Sequence, residues 1–310
     1  MRTMTQNNTS RFQELTGLYE PSAIQQLPDG RLLVVEDEKQ HPFSLITIDS
    51  DGAVSSKALS PGFFEFEGDF WNLDDLEGLA LDQSGSAYAL TSHSRDDDGD
   101  EKKSRDRLVR FRVEGNRVVK PKVVSRLKRA LTAIHPVLAA AAAVQDVKLG
   151  GGLNIEALAI GPDQQQLLIG FRSPLQGSLA IIASVENLAA MFDGDASPVV
   201  SATLTKLDLG GNGIRGMSYI PVLSGYLIIS GPVSRESVQF DLWFWSGQSN
   251  ASARRVTVAG LQGFEHAEGV CSAMIGGKRR IIIVSDDGSR KDRRYARFLM
   301  LEPDQLQIAP

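Results

Sequence analysis

Short apolar segments separated by polar turns recur along the chain and share one repeating unit. The unit is a polar or charged anchor, a short apolar strand, a turn and a second, strongly apolar strand. Five anchors are visible, in Pro21-Ser-Ala-Ile24, Leu76-Glu-Gly-Leu-Ala80, Ile155-Glu-Ala-Leu-Ala159, Ile214-Arg-Gly-Met-Ser218 and Ala267-Glu-Gly-Val270. β-rich runs such as Leu32-Leu-Val-Val35 and Ile281-Ile-Ile-Val284 follow the turns. The pattern predicts an all-β fold built from repeated blades.

A third strand follows in most copies, for example Arg107-Leu-Val-Arg-Phe-Arg112, which makes each unit typical of a β-propeller blade. We expect a single propeller domain over residues 1–310 with five blades; six is the alternative if one blade has lost its anchor. Residues 123–144 favour helix and predict one helical insertion. Residues 1–19 are expected to close the ring, with Arg11-Phe-Gln-Glu-Leu15 as an outer strand of the last blade.

Composition narrows the function classes. The chain is 42% hydrophobic and 23% charged with a net charge of -5, which is typical of a globular protein and disfavours nucleic-acid binding. No apolar run is long enough for a membrane span, and the polar N-terminus lacks the pattern of a signal peptide, so we expect a cytoplasmic protein without membrane contact. The single cysteine, Cys271, is expected to be an inert core residue.

Candidate chemistry begins with the anchors, because the first strand of every propeller blade lines the central channel. Glu77, Glu156, Arg215 and Glu268 are therefore expected to converge there. Three carboxylates in a confined space repel one another unless a positive charge offsets them. Either Arg215 or a divalent metal such as Ca²⁺ or Mg²⁺ meets that need, and the candidate metal ligands are Glu77, Glu156, Glu268 and Asp286. The alternative is that the anchors only hold the blades together.

A second layer is expected where the second strands end, opening onto the same face of the disc. His93 is a candidate general base or metal ligand, with a hydrogen-bonded rim residue as the alternative. Arg172 and Arg215 are candidates to grip an anion, and Arg105 lies in a basic segment that is predicted to fold back over the channel mouth. The complete prediction comprises catalytic candidates Glu77, His93, Glu156 and Glu268, and ligand-binding candidates Arg172, Arg215, Ser230 and Arg105.

Together, these segments resemble a bacterial family known as domain of unknown function 3616, which is similar to phytase-like and esterase-like propellers. The segments that carry the resemblance are Leu76-Glu-Gly-Leu-Ala80, Thr91-Ser-His-Ser-Arg95, Arg105-Asp-Arg-Leu-Val-Arg-Phe111, Ile155-Glu-Ala-Leu-Ala159, Phe171-Arg-Ser-Pro174, Ile214-Arg-Gly-Met217, Ser230-Gly-Pro232 and Ala267-Glu-Gly269. Two departures are Ala157 after Glu156, where the other acidic anchors precede glycine, and Ser173 where glycine is expected. The resemblance implies a propeller but no established reaction.

Two classes of function follow. The first is a metal-assisted ester or phosphoester hydrolase that takes a small anionic ligand, an analogy to the phytase-like relatives at the level of the fold. The second is a non-catalytic propeller, either a scaffold for an unknown protein partner or a ligand sensor. The sequence leaves enzyme status open.

Overall fold

The computed structural model describes residues 11–37, 41–59, 69–145, 151–233, 239–264 and 266–310. After a short strand β1 (Gln13–Glu14), blade 1 contains β2 (Pro21–Gln26), β3 (Leu32–Glu36), β4 (Phe43–Ile48) and β5 (Val54–Ala58). Blade 2 contains β6 (Leu76–Leu81), β7 (Ala87–Thr91), β8 (Leu108–Glu114) and β9 (Arg117–Val124). Blade 3 contains β10 (Asn154–Ile160), β11 (Leu167–Ser173), β12 (Ala180–Val185) and β13 (Thr205–Leu207).

Blades 4 and 5 complete the ring. Blade 4 contains β14 (Gly213–Ile220), β15 (Gly225–Gly231), β16 (Asp241–Trp245) and β17 (Arg254–Val258), and blade 5 contains β18 (Ala267–Ile275), β19 (Lys278–Ser285) and β20 (Arg297–Leu301). The described strands form five antiparallel sheets, and the innermost strands contact one another in blade order, with β18 against β2. The prediction of an all-β, five-bladed propeller is confirmed, and the six-bladed alternative is wrong.

Both ends of the chain add strands to blades formed elsewhere in the sequence. β1 pairs antiparallel with β20, so residues near the start of the chain supply the fourth strand of blade 5. The last strand, β21 (Leu306–Ile308), pairs with β17 and gives blade 4 a fifth strand. These pairings join chain segments that are far apart in sequence, so each of these two blades depends on a terminal segment. Residues 1–10 of the predicted closing segment lie outside the described residues.

The apolar strands are explained by packing between blades. Successive side chains of a strand point to opposite faces, and each face of a propeller blade meets a neighbouring blade. In β19, Ile281 and Ile283 pack in the cluster shared with blade 4, whereas Ile282 and Val284 pack in the cluster shared with blade 1. Five such clusters occupy the five interfaces between blades. Cys271 is fully buried in one of them, and burial raises the pKa of its thiol.

The predicted helical insertion is two short helices rather than one. α1 (Leu127–Ile134) and α2 (Pro136–Ala142) meet at His135, whose backbone is extended. The break has a local cause, because the proline at position 136 lacks an amide hydrogen and restricts the residue before it. Leu131 and Leu138 are fully buried in the cluster between blades 2 and 3, so the pair is part of the core. The first two residues of the predicted insertion, 123 and 124, end strand β9 instead.

The helices of this fold are short. A third helix, α3 (Leu188–Asp193), lies in blade 3. Within the described parts of the chain, no helix is both long enough and apolar enough to cross a membrane.

Candidate functional site

Each innermost strand contains a β-bulge at the anchor position. The register of β2 with β3 shifts between Pro21 and Ala23, and the same shift recurs across the anchor of every other blade. A bulge leaves one residue outside the regular pairing and re-aims its side chain. The bulged residues are Ser22, Glu77, Glu156, Arg215 and Glu268. A polar or charged residue followed by a small one is therefore the sequence signal of this bulge.

All five bulged residues line one cavity of about 460 Å³ at one end of the channel. Its wall also contains Asp37, Asp75, Ser94, Arg95, Asp97, Arg105, Asn154, Arg172, Ser173 and Asp286. A separate cavity of about 330 Å³ is lined by residues further along the innermost strands, among them Gln25. Gln25 donates hydrogen bonds to the Leu79 carbonyl and the Ser218 hydroxyl. These bonds bridge three blades. The structure thus brings the four predicted charged anchors together and adds Ser22 as the fifth.

Arg215 is the centre of the charged network. Its Nε lies 3.0 Å from Glu156 Oε2, and its Nη2 donates to Glu268 Oε1. Glu156 and Glu268 are only 2% and 4% exposed. Arg172 also donates to Glu156 over 3.0 Å and to the Pro232 carbonyl. Arg215 is therefore the positive charge that the acidic anchors require, and this pairing gives the anchors a structural role.

Glu77 differs from the other acidic anchors because it has no ion-pair or hydrogen-bond partner among the described residues. It is half-buried at the bulge of blade 2. Burial raises its pKa well above the usual range, and the carboxylates of Glu156 and Asp75 add to the effect. Arg215 opposes the shift in this pKa from a distance. The surroundings of Glu77 thus favour the protonated form of its carboxyl group.

Two further carboxyl groups of the cavity have raised pKa values. Removal from bulk water and the neighbouring Asp75 raise the pKa of Asp37 to about 7, although its side chain is open to solvent at the mouth. Burial raises the pKa of Asp286, while Arg215 partly offsets the effect. Asp286 is the only member of the predicted metal set that comes from the second layer. The cavity therefore contains three carboxyl groups whose surroundings favour the protonated form, those of Glu77, Asp37 and Asp286.

Arg105 lies in one wall of the cavity and bonds several of its neighbours. It belongs to the basic segment that was predicted to fold back over the channel mouth. Arg105 lies 3.3 Å from Asp74 Oδ2 and 3.1 Å from Asp75 Oδ2, and its Nη1 donates to the Ser94 hydroxyl. Ser94 in turn donates to Asp75 over 3.0 Å. The guanidinium group of Arg105 is therefore bonded to acceptors of the protein itself.

Two predicted site residues lie outside the cavity lining. His93 is 1% exposed, its Nδ1 is 2.7 Å from the Thr91 carbonyl and its Nε2 is 3.2 Å from Asp106. Burial lowers the pKa of His93 more than the facing carboxylate raises it. Ser230 is fully buried and accepts a hydrogen bond from Trp243 Nε1. The interpretation of His93 as a hydrogen-bonded structural residue fits these contacts better than that of a general base.

Two of the four predicted ligands for Ca²⁺ or Mg²⁺ are already bonded to an arginine. Glu156 and Glu268 are already bonded to Arg215, so a metal ion would have to displace a guanidinium. Among the described residues, no three histidine, cysteine, aspartate or glutamate side chains are grouped to hold a metal. The metal ligands therefore stay a prediction.

The cavity contains several residues that the sequence prediction did not include, although its own pattern contained them. Ser22 lies in the first anchor but carries no charge, so a search for charged anchors does not single it out. Asp37 and Ser173 lie at the ends of second strands, where the second layer was expected. These three residues can be predicted from their position in the repeat, but not from their residue type.

Glu77→Gln is expected to stabilise the fold at neutral and alkaline pH. A group with a raised folded-state pKa contributes stability below its unfolded pKa, near 4.3, and loses it as the pH rises to the folded value. Glutamine bears no charge there, and each pKa unit corresponds to about 1.4 kcal/mol, so the gain is on the order of 1 kcal/mol or more.

Thermal melts at pH 4.5 and pH 8 would test this effect. Glu101→Gln is the matched control, because the exposed Glu101 has a lowered pKa from its bond to Lys128. That variant should gain nothing at pH 8. Equal melting temperatures for Glu77→Gln and the wild type at pH 8 would contradict a raised pKa of Glu77.

Several solved structures share the overall fold of this chain at low sequence identity. The chain resembles a structure described as a "putative oxidoreductase (glucose dehydrogenase)" of Thermus thermophilus, at 16% identity over 94% of this chain and 100% of that one, with a TM-score of 0.46. It also resembles the PQQ-bound aldose sugar dehydrogenase of Streptomyces coelicolor (14% identity, 94% and 98% coverage, TM-score 0.44). A third similar structure is a GH43 β-1,3-galactosidase (10% identity, 96% and 98% coverage, TM-score 0.49). With TM-scores this low, the similarities say nothing about the activity of this chain.

No curated protein matches the sequence. A family profile described as "Protein of unknown function (DUF3616)" matches residues 146–301, just over half of the 310-residue chain. That span begins before the third anchor, contains the anchors Glu156, Arg215 and Glu268 that form the ion-paired network, and ends with the last strand of blade 5. The chain therefore belongs to the DUF3616 family of β-propellers of unknown function.

Proposed function

We propose that the protein is a hydrolase that cleaves a small ester in the channel cavity, with Glu77 as the general acid and Asp37 as the general base. The observation that carries this proposal is Glu77, a cavity-lining carboxyl group with a raised pKa and no partner among the described residues. Catalytic acids and bases recur as pairs of carboxyl groups whose surroundings separate their pKa values.

The two groups suit opposite roles. Asp37, with a pKa of about 7, is ionised in about half of the molecules at neutral pH and is open to water. The raised pKa of Glu77 favours its protonated form, in which a carboxyl group can donate a proton. In the proposed step, the oxygen of a water molecule bonds to the ester carbonyl carbon and its proton passes to Asp37. The bond from that carbon to the leaving oxygen breaks, and Glu77 gives its proton to that oxygen.

Charge favours an ester over a phosphoester as the substrate. The cavity lining contains seven acidic side chains and four arginines. An anionic phosphoester would enter an excess of negative charge, whereas an uncharged or cationic ester would not. The Ser173 hydroxyl lies in the same lining and is available to face the carbonyl oxygen.

The test compares hydrolysis of p-nitrophenyl acetate and p-nitrophenyl phosphate by the full chain and its variants. We expect ester hydrolysis that rises with pH through the ionisation of Asp37 and falls when Glu77 loses its proton. Glu77→Gln and Asp37→Asn should each lower kcat/KM by about 100-fold. Asp98→Asn, an exposed acid outside the cavity lining, should leave it unchanged. Ester hydrolysis that survives Glu77→Gln would contradict the mechanism, and an inactive protein that still binds ligand would favour a sensor.

A further inference from the structure

The loop that joins β7 to β8, residues 92–107, supplies part of the cavity wall. Its side chains in the lining are Ser94, Arg95, Asp97 and Arg105. Two backbone hydrogen bonds close the base of this loop. One joins the Thr91 amide to the Arg107 carbonyl oxygen (3.0 Å), and the other joins the His93 amide to the Arg105 carbonyl oxygen (2.8 Å). Opening the base of the loop would therefore move one wall of the cavity.

The His93 ring lies at this base, with each of its nitrogens beside an oxygen atom. The residue is 1% exposed, Nδ1 lies 2.7 Å from the Thr91 carbonyl oxygen, and Nε2 lies 3.2 Å from Asp106 Oδ1. Carbonyl and carboxylate oxygens only accept hydrogen bonds, whereas a neutral imidazole has a single N–H. A neutral ring can therefore satisfy only one of the two oxygens. Among the described residues, Nε2 and Asp106 Oδ1 are indeed buried atoms without a hydrogen-bond partner.

The charged ring could donate to both oxygens, but its surroundings oppose the charge. Burial lowers the pKa of His93, the Asp106 carboxylate raises it without cancelling the effect of burial, and Lys128 lowers it further. Lys128 of α1 and Arg95 of the loop line a small cavity together with the ring, and both pair with Glu101. The closed loop therefore favours the neutral ring, although that ring leaves one oxygen unsatisfied.

We propose that His93 is a pH-sensitive clasp, and that protonation of its buried ring opens the base of the β7–β8 loop and releases this wall of the cavity. In the open loop, water reaches the ring and the Asp106 carboxylate and stabilises both charges. The inference goes beyond the proposed function, because it concerns the position of the loop and requires no reaction in the cavity.

The direction of the change follows from proton binding. A histidine with a lowered pKa binds its proton less tightly in the closed loop than in the open one. The closed loop is therefore most favoured above the pKa of an exposed histidine, about 6.5, and loses that advantage as the pH falls through this value. We thus expect acid to open the loop.

Hydrogen exchange of the full chain at pH 7.5 and pH 5.5, followed by mass spectrometry, tests the clasp. Each exchange rate is divided by the intrinsic amide rate at the same pH, so that only protection is compared. Protection of residues 92–107 should fall by about fivefold in acid if the pKa of His93 lies about one unit below that of an exposed histidine. Protection of β19, which lies in blade 5, should not change.

Three variants identify the group that titrates. His93→Asn should abolish the pH dependence of loop protection, because asparagine tolerates the positive φ of 57° and carries no charge. Asp106→Asn should keep the loop protected at pH 5.5, because its amide can donate to Nε2 of the neutral ring. His135→Asn is the matched control, since His135 is also buried but lies between α1 and α2, and it should behave as the wild type. Circular dichroism would check that each variant is folded.

Each result supports or overturns the clasp. Loop protection that is equal at both pH values, that rises in acid, or that falls as much in His93→Asn as in the wild type would overturn it. An equal loss in β19 would indicate general unfolding and would also overturn it. Failure of the hydrolase proposal is distinguishable, because a loop that opens in acid without turnover of any ester removes the reaction and keeps the clasp. Turnover with a loop that does not respond to pH does the reverse.

Discussion

Arg215→Met is expected to lower the free energy of unfolding by about 3–5 kcal/mol, because removal of one partner leaves a buried charge uncompensated. Glu156 and Glu268 are nearly inaccessible to solvent, and Arg215 bonds both. The guanidinium carbon of Arg215 lies 5.7 Å from the centre of the Phe240 ring, so the loss includes this cation–π contact as well as the two ion pairs. Urea unfolding at pH 7, followed by circular dichroism, measures the difference.

Two controls separate charge from packing in this experiment. Arg172→Met removes an arginine whose side chain is 27% exposed and whose partner Glu156 keeps Arg215, so its expected cost is only about 1 kcal/mol. The triple variant Arg215→Met, Glu156→Gln, Glu268→Gln removes all three charges and should recover much of the lost stability. Equal losses for the two arginine variants would contradict a central role for Arg215.

The repeat pattern is what made the blades predictable from sequence. Every blade needs an apolar second strand, because both of its faces are covered by neighbours, and those runs stand out in the sequence. The anchors were predictable for a related reason. A bulge that aims a polar side chain into the channel also requires a small residue beside the next blade, which produces Glu77-Gly78 and Arg215-Gly216.

The partners of the anchors were not predictable in the same way. The sequence showed that a positive charge was required among Glu77, Glu156 and Glu268, but not that Arg215 would bond two of them and leave Glu77 without a partner among the described residues. That choice depends on the order of blades around the ring, since Arg215 in blade 4 lies between blades 3 and 5, which carry Glu156 and Glu268. Blade 2, which carries Glu77, does not adjoin blade 4.

His93 shows the limit of reasoning from residue type. It follows the second strand of blade 2, where the wall of the cavity was expected, and histidine is a common general base. Its backbone has a positive φ of 57°, and its ring lies buried beside the Thr91 carbonyl and Asp106. The ring is therefore buried in the protein rather than exposed in the wall of the cavity, and no sequence pattern at this position distinguishes the two.

The space beside the small residue that follows each anchor differs from blade to blade. This difference explains why alanine, at position 157, can follow Glu156 where glycine follows the other acidic anchors. An added methyl group at Gly170, which faces Ala157 across β10 and β11, would lie 2.9 Å from the Ala157 methyl group. Glycine at position 170 thus provides the room that the alanine needs. At Gly216 the neighbour is backbone rather than a side chain, because a methyl group there would overlap the Glu268 carbonyl oxygen.

Gly216→Ala is therefore expected to destabilise the protein by about 1–3 kcal/mol or more, through steric overlap with the strand of blade 5. Neither strand can move without opening the contact between blades 4 and 5. Gly78→Ala is the matched comparison at the equivalent bulge of blade 2, where the nearest atom, Leu158 Cβ at 2.8 Å, belongs to a side chain. Leu158 Cβ is fixed to its backbone, but an approach of 2.8 Å is a milder overlap than the 1.7 Å to the Glu268 carbonyl oxygen, so Gly78→Ala should cost less in urea unfolding than Gly216→Ala.

The same substitution should also disturb the charged network, because Gly216 follows Arg215 and its clash is with the backbone of Glu268. Combining Gly216→Ala with Arg215→Met should then cost less than the sum of the two single changes, since both act on one contact. Additive losses in a double-mutant cycle would contradict this coupling. In that case the small residue and the charged residue of the bulge would serve separate purposes, the first in packing the ring and the second in holding the acids of the channel.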